Sequence, residues 1–400
     1  MNAYLQERWR LPKVGPTLAL TIPLHQILQD MASTIPNLNT LRTIRGETRR
    51  GRRGGSASGG EHLDSTELGA NAARDGVVQQ TDQDASSSRM SAVALGYLED
   101  DFASRLAPVG SLAPKRFPII NRGTYVRTRS LDELVVRFLR TRPEQSKQIV
   151  SLGAGSDTRF FRLRQYARQH NYSHVEYHEL DFEANINRKR SAVRNDALLV
   201  DCIREGEKNG WNLRLHAMDL RDLTKKSPPI ISDLRHDLPT LILSECCLCY
   251  LPPEEATSVL QYFTMHLDDA LSLILYEPIR PFDAFGKVMV SNLASRGIHL
   301  QTLKRYATMT AQRQRLRLAG FQDGQGARDI LQLYESDEWI GATERDRVER
   351  LEWLDEVEEW RLLASHYCVA WGWKGTLFAE AWNGLDGSLL AAEARDLETM

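Results

Sequence analysis

Residues 149–159 read I-V-S-L-G-A-G-S-D-T-R, an apolar run that breaks into Gly-X-Gly and then into helix-starting residues. The run 149–152 has the composition of a buried β-strand. Gly153 and Gly155 carry no Cβ, so the backbone at this turn can come close to a nucleotide-like ligand. Asp157 and Thr158 suit the start of a helix. A carboxylate follows at the end of the next apolar segment: Asp181, in H-E-L-D-F, lies 26 positions past Gly155. A glycine loop followed by such a carboxylate is how an open α/β sheet holds an adenosine ribose.

Outward from this stretch the chain alternates strands with helices. Strands are expected at 148–152, 175–181, 213–218, 240–251 and 271–276, with helices at 158–170 and 183–193 and another starting at Pro252-Pro253. The run 240–251, T-L-I-L-S-E-C-C-L-C-Y-L, is almost continuously apolar, as a central parallel strand buried on both faces requires. Such alternation gives βαβ units with right-handed crossovers, hence an α/β fold with a doubly wound, mostly parallel sheet. Further on, helices are expected at 282–296 and 303–319, a strand at 329–334, a charged helix at 345–364 and a last strand at 367–373. Gly320 stands at a C-cap. Upstream, 91–102 has a helical pattern. The segment 119–128 precedes an amphipathic helix at 131–139, with Leu131, Leu134, Val135, Phe138 and Leu139 at helical spacing.

The first 80 residues differ. Positions 46–60, G-E-T-R-R-G-R-R-G-G-S-A-S-G-G, have no apolar periodicity and are expected to be disordered. Met31 offers an alternative start. The expected organisation is a leader at 1–80, a folded domain at 81–382 with helical additions before the sheet and after its fifth strand, and a tail at 383–400. Four hundred residues with 42% hydrophobic content suit one α/β domain with additions, or two small domains. A net charge of −2 argues against a protein devoted to nucleic acid or anionic membrane, leaving only weak nucleic-acid contacts for the basic leader. No run of about 18 apolar residues marks a membrane span. Five cysteines, three of them in one apolar segment, do not form a disulfide framework and point to a reducing cytoplasm. The spacing C-C-x-C at Cys246, Cys247 and Cys249 suits no common zinc site, so no metal is expected.

A hydride-transferring dinucleotide enzyme would place a third glycine where Thr158 stands. S-adenosylmethionine has no phosphate and does not need it. Asp219-Leu220, after the third strand, supplies a carboxylate for an exocyclic amine and an apolar neighbour for a ring. Glu245 is a carboxylate inside an apolar strand, where an unpaired charge is costly, so it needs a partner. The pattern favours a methyltransferase over a nicotinamide enzyme.

With these residues in view, L-G-A-G-S-D-T-R, E-L-D-F, D-L and S-E-C-C-L-C-Y-L-P-P-E-E resemble the leucine carboxyl methyltransferase family. The segments T-D-Q-D-A-S-S-S-R-M-S-A-V at 81–93, I-N-R-G-T-Y-V-R at 120–127, L-E-W-L-D-E-V-E-E-W and H-Y-C-V-A-W extend the likeness over about 81–374. The resemblance implies a class I S-adenosylmethionine-dependent, Rossmann-like methyltransferase with added helices forming a substrate lid. It implies cofactor contacts at Arg89, Arg127, Gly153, Gly155, Asp181, Asp219, Leu220 and Glu245. Arg127 is the expected catalytic arginine, and Tyr250 a candidate for the substrate side. Arg89 stands where a lysine is common, and a guanidinium fork is not an ammonium point charge. The implied reaction is methylation of the C-terminal leucine α-carboxylate of the protein phosphatase 2A catalytic subunit, by a cytoplasmic monomer. Two alternatives stay open: a tRNA wybutosine-type carboxyl methyltransferase, and a catalytically silent methyltransferase-fold binding protein.

Carboxylate methylation needs no strong base, because an α-carboxyl, with a pKa of about 3.3–3.7, is already ionised at neutral pH. The enzyme must align donor and acceptor and strip water from the nucleophile. Arginines that steer carboxylates follow from that requirement. Sequence leaves open whether Arg127 clamps the cofactor's carboxylate or the substrate's.

Overall fold

The computed structural model describes residues 65–108, 115–170, 174–268, 270–355, 357–382 and 384–385. The expected leader up to residue 64 and the tail beyond 385 lie outside them. Seven strands form one sheet: β1 (Lys147–Leu152), β2 (Val175–Asp181), β3 (Trp211–Ala217), β4 (Thr240–Glu245), β5 (Leu271–Pro278), β6 (Gly324–Asp329) and β7 (Tyr367–Lys374), in the order β3-β2-β1-β4-β5-β7-β6. The pairs from β3 through β5 are parallel, and β7 runs antiparallel between β5 and β6. This is the doubly wound, mostly parallel sheet expected. The order reverses between β1 and β4, a switch point that opens a crevice at the carboxyl ends of the strands. β5 is buried along its whole length, as a strand covered on both faces must be.

Helices α1 (Ser65–Ala94), α2 (Ala103–Leu106) and α3 (Pro118–Arg140) precede the sheet. Helix α4 (Arg159–His170) follows β1, α5 (Glu183–Asn195) and α6 (Ala197–Lys208) follow β2, and α7 (Pro253–His266) follows β4. Then come α8 (Ala284–Ser295), α9 (Met309–Leu318), α10 (Ile330–Glu335), α11 (Ala342–Glu349), α12 (Val357–Ser365) and α13 (Thr376–Trp382). One core layer joins Val150, Ile242, Leu273 and Leu275 of the strands to Val259, Leu260 and Phe263 of α7 and Leu316 of α9. Among the described residues no helix is long and apolar enough to cross a membrane.

Several boundaries differ from expectation. Residues 65–80, expected in the leader, belong to α1, which ends at Ala94 and does not continue to 102. The segment 119–128 is the first half of α3, continuous with the amphipathic half. Its polar residues Asn121, Arg122, Thr128 and Ser130 are buried, which hides the usual apolar stripe. β4 stops at Glu245 because Cys246 takes a left-handed φ of +50°, and a 3-10 turn follows at Leu248–Tyr250. Tyr250 and the cysteines after Glu245 are therefore in a turn. The strand expected at 329–334 is a helix instead: β6 ends at Asp329, whose carboxylate caps α10 over 330–335. The charged helix expected at 345–364 is two, α11 and α12. Helix α6 was not foreseen; Asp196 caps it by accepting from Leu199 N–H.

Candidate active site

The glycine loop leaves β1 with Gly153 at φ +63° and Gly155 at φ +50°, both left-handed. Gly153 N–H donates to the Leu180 carbonyl at 2.8 Å, which ties the loop to β2. A Cβ on Gly153 would come within 2.6 Å of the Cys247 sulfur. Thr158, at the place of a third glycine, is buried and donates its hydroxyl to Asp100 at 2.6 Å.

Asp181, at the end of β2, accepts from Gly155 N–H at 2.6 Å and, through its other oxygen, from Phe182 N–H and Asn185 Nδ2 at 2.7 and 2.9 Å. Burial pushes its carboxyl up, and these three hydrogen bonds oppose that. Asp181 thus fastens the loop that sequence reading places beside the ligand. Asp219 follows β3 and accepts from Arg221 Nε at 2.9 Å and from Arg221 N–H at 2.9 Å, while Arg221 also pairs with Asp75 of α1 at 2.6 Å. The structure therefore engages Asp219 as a cap and an ion-pair partner. Leu220 is buried, in the apolar layer beneath it.

Glu245 ends β4 between two guanidinium groups. It pairs with Arg127 Nε of α3, and with Arg159 Nη2 of α4 at 3.1 Å. Burial would raise the Glu245 carboxyl, but Arg127, Arg159 and Arg89 hold it down at about 2. Arg159 is fully buried and also bonds Asp132 at 2.8 Å and Asp157. Arg162 pairs with Asp132 and with Asp100 at 3.4 Å. Arg89 completes the network, bonding Asp100 at 3.2 Å and Thr128 at 3.4 Å. Four arginines meet four carboxylates, so the buried charges balance, which burial demands.

Arg127 differs from its neighbours. Its Nε serves Glu245, its guanidinium lies 4.5 Å from the centre of the buried Tyr276 ring, and Tyr276 stacks on Tyr367 at 5.6 Å. Its two terminal nitrogens make no hydrogen bond among the described residues, and its side chain is 25% exposed. A cation held at its neck with an open fork is a carboxylate receptor. S-adenosylmethionine carries a carboxylate, and so does a peptide terminus; both fit this group. Tyr250 is half-buried on its 3-10 turn, and burial, then Cys249 and Cys246, push its phenol up, opposed by a hydrogen bond with Thr81. Its carbonyl accepts from Gln301 Nε2 at 2.5 Å. The five cysteines are free thiols. Arg122 lies over the Tyr334 and Trp360 rings at 5.4 and 5.7 Å, a packing role.

The structure brings Arg89, Arg127 and Glu245 into one network, and Gly153, Gly155 and Asp181 into another. Asp219 and Leu220 lie after β3, whose partner strand β2 ends in Asp181. Sequence reading missed Asp82, Asp100, Asp132, Arg159 and Tyr276. Asp82 and Asp132 sit on helices and Asp100 in the connection between α1 and α2, all upstream of the loop, and no local spacing marks them. Tyr276 was visible only as a strand residue.

The model of the family "Leucine carboxyl methyltransferase" matches residues 77–264. The chain is 48% identical over 395 residues to "Leucine carboxyl methyltransferase 1" of Aspergillus fumigatus, covering 89% of this chain and 98% of that protein. The protein of the same name in Emericella nidulans is 48% identical over 390 residues, with the same two shares. That of Schizosaccharomyces pombe is 40% identical over 300 residues, covering 73% of this chain and 93% of that protein. A match covering 89% of 400 residues, about 356, is longer than the 320 residues from 81 to 400. The likeness to the Aspergillus protein therefore runs into the first 80 residues, which the motifs alone leave out. At this identity and coverage, the chain belongs to the leucine carboxyl methyltransferase family, whose methyl donor is S-adenosylmethionine.

Proposed function

We propose that this chain transfers a methyl group from S-adenosylmethionine to the α-carboxylate of the C-terminal leucine of the protein phosphatase 2A catalytic subunit, forming a leucine methyl ester. The observation that carries this reading is the open fork of Arg127 at the carboxyl edge of the sheet, in a member of this family. Bound there, S-adenosylmethionine supplies an activated methyl on a sulfonium. The chain's residues bind and orient. Arg127 receives a carboxylate, with Glu245 and Tyr276 fixing its guanidinium from two sides. Asp181 holds the glycine loop by taking the Gly155 N–H. Glu245 stays ionised at neutral pH, so it balances the arginines and offers no proton. The acceptor is already an anion, so positioning and exclusion of water carry the rate.

The test is tritium transfer from labelled S-adenosylmethionine into the phosphatase catalytic subunit, with and without its terminal leucine. Base-labile tritium in the intact subunit alone supports the proposal. No label, label in both forms, or label in tRNA instead overturns it.

A further inference from the structure

Successive N–H groups of a left-handed turn form a concavity that attracts an anion. In this loop they belong to Gly155 and Ser156, and carboxylates of the chain take both. Asp181 receives the first, and Asp82 Oδ1 receives the Ser156 N–H at 2.7 Å. The Ser156 hydroxyl donates to the same Asp82 oxygen at 2.7 Å, and the other oxygen pairs with Arg188 of α5 at 2.5 Å. A Cβ on Gly155 would overlap the Asp82 carboxylate. The room that this glycine frees is thus filled from α1, by a side chain only 10% exposed and far upstream in sequence.

We propose that Asp82 is a specificity-determining residue: it supplies from within the chain the anion that this loop would otherwise take from a ligand phosphate, and so reserves the site for a phosphate-free adenosyl donor. The Ser156 N–H, the Ser156 hydroxyl and Arg188 converge on Asp82, and this donor set fits a phosphate oxygen as well as a carboxylate. With Asp82 in place, a pyrophosphate entering the loop meets a fixed negative charge. With Asp82 removed, three donors are left for it. The proposal rests on the reading of this site as the S-adenosylmethionine site.

The test titrates the full chain and three variants calorimetrically with S-adenosylhomocysteine and, separately, with ADP. The variants are Asp82→Ala, Asp82→Asn and Asp84→Ala. Asp84 fastens the same helix, through Arg296 at 2.7 Å and Arg116 at 3.7 Å, and so controls for loosening of α1. Asp82→Ala is expected to gain ADP affinity about tenfold, and Asp82→Asn less, while Asp84→Ala matches the unaltered chain. ADP affinity within twofold of the unaltered chain in Asp82→Ala, or an equal gain in Asp84→Ala, overturns the proposal. If Asp82→Ala does not fold, Asp82→Asn decides: a gain supports the proposal and no gain overturns it. Failure of the unaltered chain to bind S-adenosylhomocysteine instead refutes the reading of the site, whatever ADP does.

Discussion

Arg127 is tied to the protein through one nitrogen and one ring face, which leaves its fork free. Arg127→Ala removes the receptor but leaves Glu245 paired with the buried Arg159, so the fold survives. The expected loss in kcat/KM is roughly 10- to 100-fold, the worth of a charged hydrogen bond, with an unchanged circular dichroism spectrum. Near-normal turnover would remove Arg127 from the mechanism. Glu245 gives a pH signature. Its carboxyl sits at about 2 in the folded protein and reverts to about 4.3 when unfolded. A depressed folded value means that the stabilisation is present above the unfolded value and is lost as pH falls towards the folded one. The melting temperature should drop between about pH 4.3 and about 2, and Glu245→Gln should flatten that drop. Parallel pH profiles for the two proteins would contradict this origin. Glu245 was legible in sequence because a charge inside an apolar strand demands a partner. Asp82 was not, because its partner Ser156 lies 74 positions away and only the folded chain joins them.

The parallel strands were legible because β1, β4 and β5 hold short apolar runs, β3 alternates apolar with polar residues, and turn or helix-start chemistry follows them. The end of β4 was not, since C-C-L-C-Y-L continues the apolar run while the backbone turns at Cys246. Nor was the first half of α3, whose buried polar residues erase the amphipathic pattern. The β6–β7 pair shows the opposite economy of side chains. Gly324 and Gly326 leave room that the indoles of Trp373 and Trp371 fill, and a Cβ on either would overlap an indole. Gly326→Ala should therefore cost about 1–3 kcal/mol, the range for overpacking a tight site, measured by urea unfolding. A change smaller than about 0.5 kcal/mol would mean that Trp371 moves aside freely. Helix α1 is held differently, by Asp75–Arg221, Asp82–Arg188, Asp84–Arg296 and Arg89–Asp100. Partly exposed pairs weaken as salt rises. Amide exchange across 73–89 should speed up with ionic strength while that of β5 does not, and equal responses would discount the ion pairs as the fastening.

Six of the seven strands end at one edge, where the antiparallel β7 begins, so a ligand bound there is linked to the stability of the whole sheet. S-adenosylhomocysteine at 100 times its dissociation constant should add about 2.7 kcal/mol. That should raise the melting temperature by at least about 3 °C, and an unmoved melting curve would argue against binding at this edge. The strand order has a further consequence, for synthesis. Among the described residues β5 finds its outer neighbour only in β7, which ends at Lys374, and β6 pairs with β7 alone. A nascent chain leaving the ribosome thus carries two unmatched strand margins until β7 has been made. A premature stop before residue 367 would leave both permanently open to pairing with other molecules, a hazard for aggregation rather than a mere loss of activity.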